Sequence, residues 1–180
     1  MERRTNPFGD VAPRAAPMEH QWIMKHYKAP WSPLLVSLST LLTVVCLGNA
    51  FAEFRHGGAE SWVGWLLVAL VVGCALFTIR GYTVTPDAIL VHRLVWNTRL
   101  PLAGLQSARF ERTRRRWGMR IGNGGFFSFS GFHYTPGLGL WRVLVTDHSR
   151  LVMLRYPNRL VAISPAAPEA FVHDLALAKP

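Results

Sequence analysis

Residues 80–94 read RGYTVTPDAILVHRL, and this stretch predicts how the larger part of the chain folds. Two runs rich in β-branched and apolar residues lie on either side of the pair Pro86-Asp87. Proline presets the backbone for a turn, and aspartate hydrogen-bonds its own backbone in turns, so the pair ends one strand and begins the next. The stretch therefore predicts a β-hairpin.

The same kind of pattern continues after the hairpin, with short strand-like runs separated by turn residues. Together with the hairpin the runs predict about seven strands, the later ones near residues 105–110, 126–132, 140–146, 151–156 and 160–163. A C-terminal α-helix is predicted to follow from Pro168, a residue suited to a first helical turn. Phe171, Leu175 and Leu177 are expected to face the core. Residues 80–180 are thus expected to form one mainly-β domain closed by a helix.

Two uncharged apolar runs precede this domain. They cover residues 29–52 and 61–79, and each is close to the roughly 20 residues that span a bilayer core. Trp31, Trp62 and Trp65 stand at the starts of these runs, where aromatic residues favour the membrane–water boundary. The sequence predicts a transmembrane hairpin at residues 31–79, with spans at about 31–52 and 61–79. The alternatives are two buried helices of a soluble protein, or a signal peptide cleaved after the first run.

Basic residues predict the orientation of that hairpin. Residues 1–33 carry five Lys or Arg, the connector between the runs carries only Arg55, and residues 80–180 carry fourteen. Because loops rich in Lys and Arg remain in the cytoplasm, both termini are expected there, in a multi-pass protein of the bacterial inner membrane. Residues 1–30 are expected to be a flexible basic segment, with a short interfacial helix at 20–28.

The arrangement is similar to bacterial pleckstrin-homology-like (PH-like) domains of small membrane proteins. The similarity lies in YTVTPDAI, in the glycine-rich GNGGFF from Gly122, and in ISPAAPEAF near the C-terminus. It covers about residues 80–177 and the hairpin before them. The resemblance implies two nearly orthogonal antiparallel sheets closed by the C-terminal helix, and a non-catalytic binding or assembly module.

The glycine-rich stretch, residues 121–139, raises the question of a phosphate-binding loop. A P-loop requires Lys after its last glycine, and a dinucleotide fingerprint requires a third glycine where this chain has Phe127. Neither requirement is met, and the phenylalanines favour strand. We therefore expect a turn or sheet bend, with a hairpin turn favoured at Asn123-Gly124. Its aromatic residues are expected to fill the core or to face the membrane.

A basic segment, RFERTRRRWGMR at residues 109–120, is the strongest candidate binding site. Its members are expected to contact anionic lipid headgroups or an acidic protein partner; the alternative is a solvated loop. Lipid-binding PH domains place basic residues around the first hairpin, whereas here that turn carries Asp87. Nucleic acid is not expected, because no recognition helix accompanies the charge. The candidate residues are Arg109, Arg112, Arg114, Arg115, Arg116, Trp117 and Arg120.

Catalytic chemistry is not predicted. Ser128 and Ser130 are near His133 in sequence, but nothing orients them as a nucleophile and base. The seven histidines form no ligand pair, and the two cysteines lie inside the apolar runs, so no metal, cofactor or disulfide is expected. The predicted function is a membrane-anchored, non-enzymatic binding or scaffold module that contacts anionic lipid, a protein partner or further copies of itself. The alternative is an accessory subunit of a membrane enzyme or transporter, acting through its spans.

Overall fold

The computed structural model describes residues 24–57, 61–111, 119–136 and 139–178. Within these ranges the chain forms ten strands and three helices. In chain order they are β1 (Lys25–Lys28), α1 (Pro33–His56), α2 (Ser61–Leu76), β2 (Ile79–Val84), β3 (Ala88–Arg93), β4 (Asn97–Pro101), β5 (Ser107–Glu111), β6 (Met119–Gly124), β7 (Phe129–Thr135), β8 (Gly139–Val145), β9 (Leu151–Arg155), β10 (Leu160–Ile163) and α3 (Pro168–Ala178).

The strands form two sheets, as the resemblance to PH-like domains implies. One has the order β1-β2-β3-β4, and the other has the order β5-β9-β10-β8-β7-β6. The hairpin around Pro86-Asp87 is confirmed, with Val84 opposite Ile89. The expected strand number was too low, and the expectation of purely antiparallel pairing is wrong at one place: β10 pairs with β8 in parallel, because β9 lies between them in the chain and pairs with β10.

The main core lies between the two sheets and α3. Tyr82 of β2 is fully buried there, and its hydroxyl donates to the backbone oxygen of Leu144 in β8 at 2.8 Å, which links the two sheets. Burial raises the pKa of Tyr82 to about 12, so its hydroxyl stays a neutral donor. Phe171 and Leu175 face this core as predicted. Leu177 does not, because the buried face of α3 continues to Ala178 instead.

A strand stands where a flexible segment and a short helix were expected. Lys25–Lys28 form β1, which pairs with β2 so that Tyr27 lies opposite Tyr82. The Tyr27 ring packs edge-on against Phe171 at 5.1 Å, and its hydroxyl donates to the carboxylate of Asp174. Partial burial alone would raise the pKa of Asp174, but hydrogen bonds from Lys25 and Tyr27 lower it. The prediction failed because tertiary contacts with β2 and α3, rather than local pattern, fix this strand.

The two apolar helices follow β1 in the chain and pack against each other. At Gly64 of α2 a β-carbon would lie 2.7 Å from the ring of Phe54 in α1, so the absence of a side chain lets the helices approach. α1 is long and apolar enough to cross a membrane; α2, with 16 residues, is shorter than the predicted run because it ends at Leu76 and Ile79 begins β2. Large apolar side chains on both helices are exposed, Val44 by 64% and Trp65 by 67%.

Candidate functional site at the junction of the helices and the β domain

The first turns of α1 are part of the β domain. Ser32 caps the helix, its side-chain oxygen accepting from the backbone N–H of Leu35 at 3.2 Å. Its own backbone N–H donates to the backbone oxygen of Thr146, directly after β8. Leu35 is fully buried in a second apolar cluster with Phe129 and Trp141 on the sheet of β5 to β10. The helix therefore starts inside the domain and leaves it.

The glycine-rich stretch contacts the next turn of α1. The turn between β6 and β7, residues 125–128, is called the glycine-rich tip below. The Ser39 hydroxyl donates to the backbone oxygen of Gly125 at 3.2 Å and accepts from the backbone N–H of Phe127 at 2.9 Å. Ser39 is 3% exposed, so these bonds lie in a packed contact. One side chain of α1 thus satisfies two backbone groups of the tip.

The shape of the glycine-rich tip depends on its own residues. Asn123 closes the turn, accepting from the backbone N–H of Phe126 at 2.9 Å and donating back to that residue's carbonyl. At Gly125, with φ of +119°, a β-carbon would lie 2.8 Å from the Leu38 side chain. The turn thus falls at residues 125–128 and not at Asn123-Gly124, which belong to β6. A turn is therefore present in the glycine-rich stretch, but its predicted position at Asn123-Gly124 is wrong.

The end of α2 is held by two side chains, one from β3 and one from the glycine-rich tip. The backbone oxygen of Phe77, directly after the helix, accepts from Arg93 Nη1 at 3.0 Å and from the Ser128 hydroxyl at 3.2 Å. A cation is favoured at this end of a helix, where carbonyl groups lack partners. Arg93 is 7% exposed, and its guanidinium lies 5.4 Å from the Phe77 ring and 5.7 Å from the Trp96 ring. Burial, with the nearby charge of Arg142, lowers the pKa of Arg93.

The predicted basic segment is only partly described. Arg109 is exposed on β5, opposite Met153. The backbone of Arg120 lies in β6, opposite His133. Since β5 and β6 are the two opposite edges of one sheet, these two arginines are not brought together. Arg112, Arg114, Arg115, Arg116 and Trp117 lie outside the described residues.

The sequence interpretation missed an apolar loop between β3 and β4. It consists of Leu94, Val95 and Trp96, called the apolar tip below, which are 46%, 68% and 39% exposed. The Trp96 ring packs edge-on against Phe77 at 5.0 Å, so this tip lies beside the end of α2. The signal was present as three apolar residues directly after Arg93. The run at residues 88–95 instead predicts a continuous strand, because apolar runs are typical of strands as well as of exposed apolar loops.

The polar side chains of the junction bond to backbone groups of other elements. Ser128, considered as a nucleophile beside His133, donates its hydroxyl to Phe77 and lies 3.1 Å from the Ser130 hydroxyl, and both serines are buried. Among the described residues no group of three or more His, Cys, Asp or Glu is placed to hold a metal ion. The polar side chains at this junction thus connect the helices to the two sheets.

The comparison with known families agrees with this architecture. The family model described as "Bacterial PH domain" matches residues 80–178, from the second residue of β2 to the last residue of α3. No curated protein and no solved structure matches the chain significantly. The matched region contains both sheets except β1, whereas β1, α1 and α2 precede it. The chain belongs to the bacterial PH domain family.

Proposed function

We propose that this protein is a membrane-anchored, non-catalytic binding module of the bacterial inner membrane. In this proposal α1 and α2 cross the bilayer as a hairpin, and the PH domain lies on the cytoplasmic side. The domain binds there, and the helices keep it at the surface. The basic balance of residues 80–180 supports this side of the membrane through the positive-inside rule.

One observation supports the proposal above the others. α1 begins in the domain core at Leu35, which is fully buried, and continues into a surface of exposed apolar side chains such as Leu41, at 60%, and Phe51, at 62%. A soluble domain rarely leaves an apolar patch of this extent uncovered. A helix with its first turns in a folded domain and a long apolar middle suits a chain that passes directly from the domain into lipid.

The ligand we propose is the anionic lipid surface, contacted by the basic segment. Arginines next to an anionic leaflet contribute about 1 kcal/mol each, and a guanidinium pairs well with phosphate oxygens. Arg109, at one end of the segment, is exposed. The charge would act on headgroups without discriminating among them, since the first hairpin carries Asp87 where lipid-specific PH domains are basic.

The experiment uses the full chain, because β1 and the first turns of α1 belong to the folded domain. The protein is reconstituted in membranes of mixed zwitterionic and anionic phospholipid and extracted with its surrounding lipid. The enrichment of anionic lipid is then measured by mass spectrometry. We expect several-fold enrichment at about 0.1 M salt and loss near 1 M, where the Debye length falls from about 10 Å to about 3 Å.

A matched pair of variants locates the contact. Changing Arg114, Arg115 and Arg116 to Gln should abolish the enrichment. The control removes the same charge from the exposed residues Arg99, Arg155 and Arg159, and should leave it unchanged. Equal loss in both variants would mean that net charge, not this segment, attracts the lipid. Enrichment absent from the unmodified protein would favour a protein partner.

A second candidate, an accessory subunit acting through its helices, is favoured by one observation. Gly73 of α2 has no atom within 4 Å of the place where a β-carbon would lie, whereas Gly64 is filled by Phe54. Small residues allow close helix contacts in membranes, so the face of Gly73 is free to receive another helix. Crosslinking of the full chain in its native membrane, with Gly73→Leu as the blocking variant, tests this candidate.

A further inference from the structure

We infer that the apolar tip, Leu94 to Trp96, is a third membrane-contacting element, which enters the cytoplasmic interface of the bilayer beside the end of α2. The inference rests on the proposed function, since it requires α1 and α2 to be the anchor. Such a contact would set how close the PH domain lies to the bilayer and which of its edges faces the lipid.

The first argument is the exposure of the tip. Val95 is 68% exposed and Leu94 46%, and they are consecutive residues at the turn of a hairpin. Turns in water are normally built from Gly, Asn, Asp, Ser and Pro. Placing valine and leucine there leaves apolar area in contact with water at about 25 cal/mol per Å², which transfer to the lipid interface would recover.

The second argument is continuity with α2. Trp96 contacts Phe77 at a ring distance of 5.0 Å, and Phe77, itself 45% exposed, directly follows the last residue of α2. The exposed apolar surface of the helix therefore continues through Phe77 onto the tip. Tryptophan is enriched at the membrane–water boundary, which agrees with its place between helix and tip.

The third argument is length. The 16 residues of α2 rise about 24 Å at about 1.5 Å per residue, against a hydrocarbon core of about 30 Å. A short span requires the bilayer to thin or the flanking residues to enter it. Phe77 and the apolar tip supply apolar surface where the helix ends, so the domain would be drawn against the leaflet.

Arg93, the last residue of β3, fixes the position of the tip that follows it. Its Nη1 donates to the Phe77 carbonyl at 3.0 Å and its Nε to the Thr98 hydroxyl at 3.3 Å, so one buried side chain joins α2, β3 and β4. Because the base of the loop is held to the helix end, the tip cannot turn away independently of the anchor. The tip should therefore lie at the depth of the end of α2.

The test measures depth with spin labels on the full chain in lipid nanodiscs. In a background with Cys46→Ala and Cys74→Ala, single cysteines are introduced as Val95→Cys, as Leu70→Cys on the exposed face of α2, and as Asn158→Cys in the exposed turn between β9 and β10. Collisions with oxygen, which concentrates in lipid, and with a water-soluble nickel chelate are measured for each label.

We expect the label at Val95 to collide with nickel several-fold less often than that at Asn158, and with oxygen less often than that at Leu70, which lies about 10 Å further along α2 from Phe77. If Val95 resembles Asn158 while Leu70 is in lipid, the inference is overturned and the anchor stands. If Leu70 is also in water, the anchor and the inference both fail. Leu94→Cys repeats the measurement at the neighbouring exposed position, in case the first variant does not fold.

Discussion

Two hairpin tips contact the same residue, Phe77, and use their apolar residues in opposite ways. The glycine-rich tip reaches its carbonyl through Ser128, and its residue Phe126 is 8% exposed. The apolar tip reaches its ring through Trp96 and leaves Val95 68% exposed. The first tip is covered by α1, which supplies Ser39 and Leu38. The second has no such cover among the described residues.

The glycine-rich tip therefore packs within the chain, whereas the apolar tip is exposed and available to contact something outside the chain. A tip whose groups are all satisfied within the chain contributes to stability, and changing it should unfold the junction. A tip whose side chains are exposed contributes little to folding, and changing it should alter only what it meets outside the chain. The contrast can be measured as the free energy of unfolding of variants of the purified full chain in detergent.

The largest effect is expected at Gly125. Changing it to Ala places a β-carbon against Leu38 and Phe129 at a φ of +119°, which costs about 1–2 kcal/mol for the backbone and about 1–3 kcal/mol for overpacking. We expect the free energy of unfolding to fall by about 2–5 kcal/mol. The control is Gly124→Ala, where a β-carbon meets nothing within 4 Å. Equal effects at the two glycines would contradict the described contact with α1.

The second-largest loss in the free energy of unfolding is expected on changing Arg93. The substitution Arg93→Met keeps much of the side-chain length but removes the donors to Phe77 and Thr98, so that Thr98 loses this partner and the Phe77 carbonyl keeps the Ser128 hydroxyl alone of the two donors. Such a loss costs about 1–3 kcal/mol. The matched control is Arg99→Met, on the neighbouring strand β4, where the side chain is exposed and the change should stay within about 0.5 kcal/mol. A stable Arg93→Met protein would show that the two tips are held independently.

A smaller effect is expected at Ser39. Ser39→Ala removes the acceptor for Phe127 and the donor to Gly125, and should lower the free energy of unfolding by about 1–2 kcal/mol. Ser37, two residues earlier in α1, is exposed, so Ser37→Ala is the control and should change little. Thermal unfolding of both variants in one detergent gives the comparison. A loss no larger for Ser39→Ala than for Ser37→Ala would remove Ser39 from the junction.

The smallest effect is expected at the apolar tip. Val95→Asn should change the free energy of unfolding in detergent by no more than about 0.5 kcal/mol, because the side chain is mostly exposed. The contrast is Val91→Asn in the same strand–turn region, where the side chain is fully buried and the protein should lose several kcal/mol. A large loss at Val95 would mean that the apolar tip packs within the chain.

The sequence predicted well where the pattern is local. The hairpin at Pro86-Asp87, the strand at Leu160–Ile163 and the helix from Pro168 follow from turn residues and caps that act over a few positions. It failed at β1, because Lys25–Lys28 carries no strong strand signal and is fixed by pairing with β2. Pairing between distant segments also placed β10 parallel to β8, which spacing alone does not reveal.

The candidate site was predicted less well, for a related reason. The charge density of the sequence indicates a site at the basic segment, whereas the described contacts concentrate at the glycine-rich tip and at Arg93. The role of Ser39 depends on a partner 86 residues away in sequence. The sequence does not reveal that the three apolar residues after Arg93 form an exposed turn, because their place depends on the pairing of β3 with β4.

The most direct test of the central claim asks whether the two helices carry the chain across the membrane and back. In the background with Cys46→Ala and Cys74→Ala, His56→Cys marks the end of α1 and Asn158→Cys marks the PH domain, and intact spheroplasts are treated with a membrane-impermeant maleimide. A hairpin that crosses the membrane twice predicts labelling at position 56 in intact cells and at position 158 only after lysis. Equal labelling of the two positions in intact cells would place them on one side of the membrane and contradict the anchored hairpin.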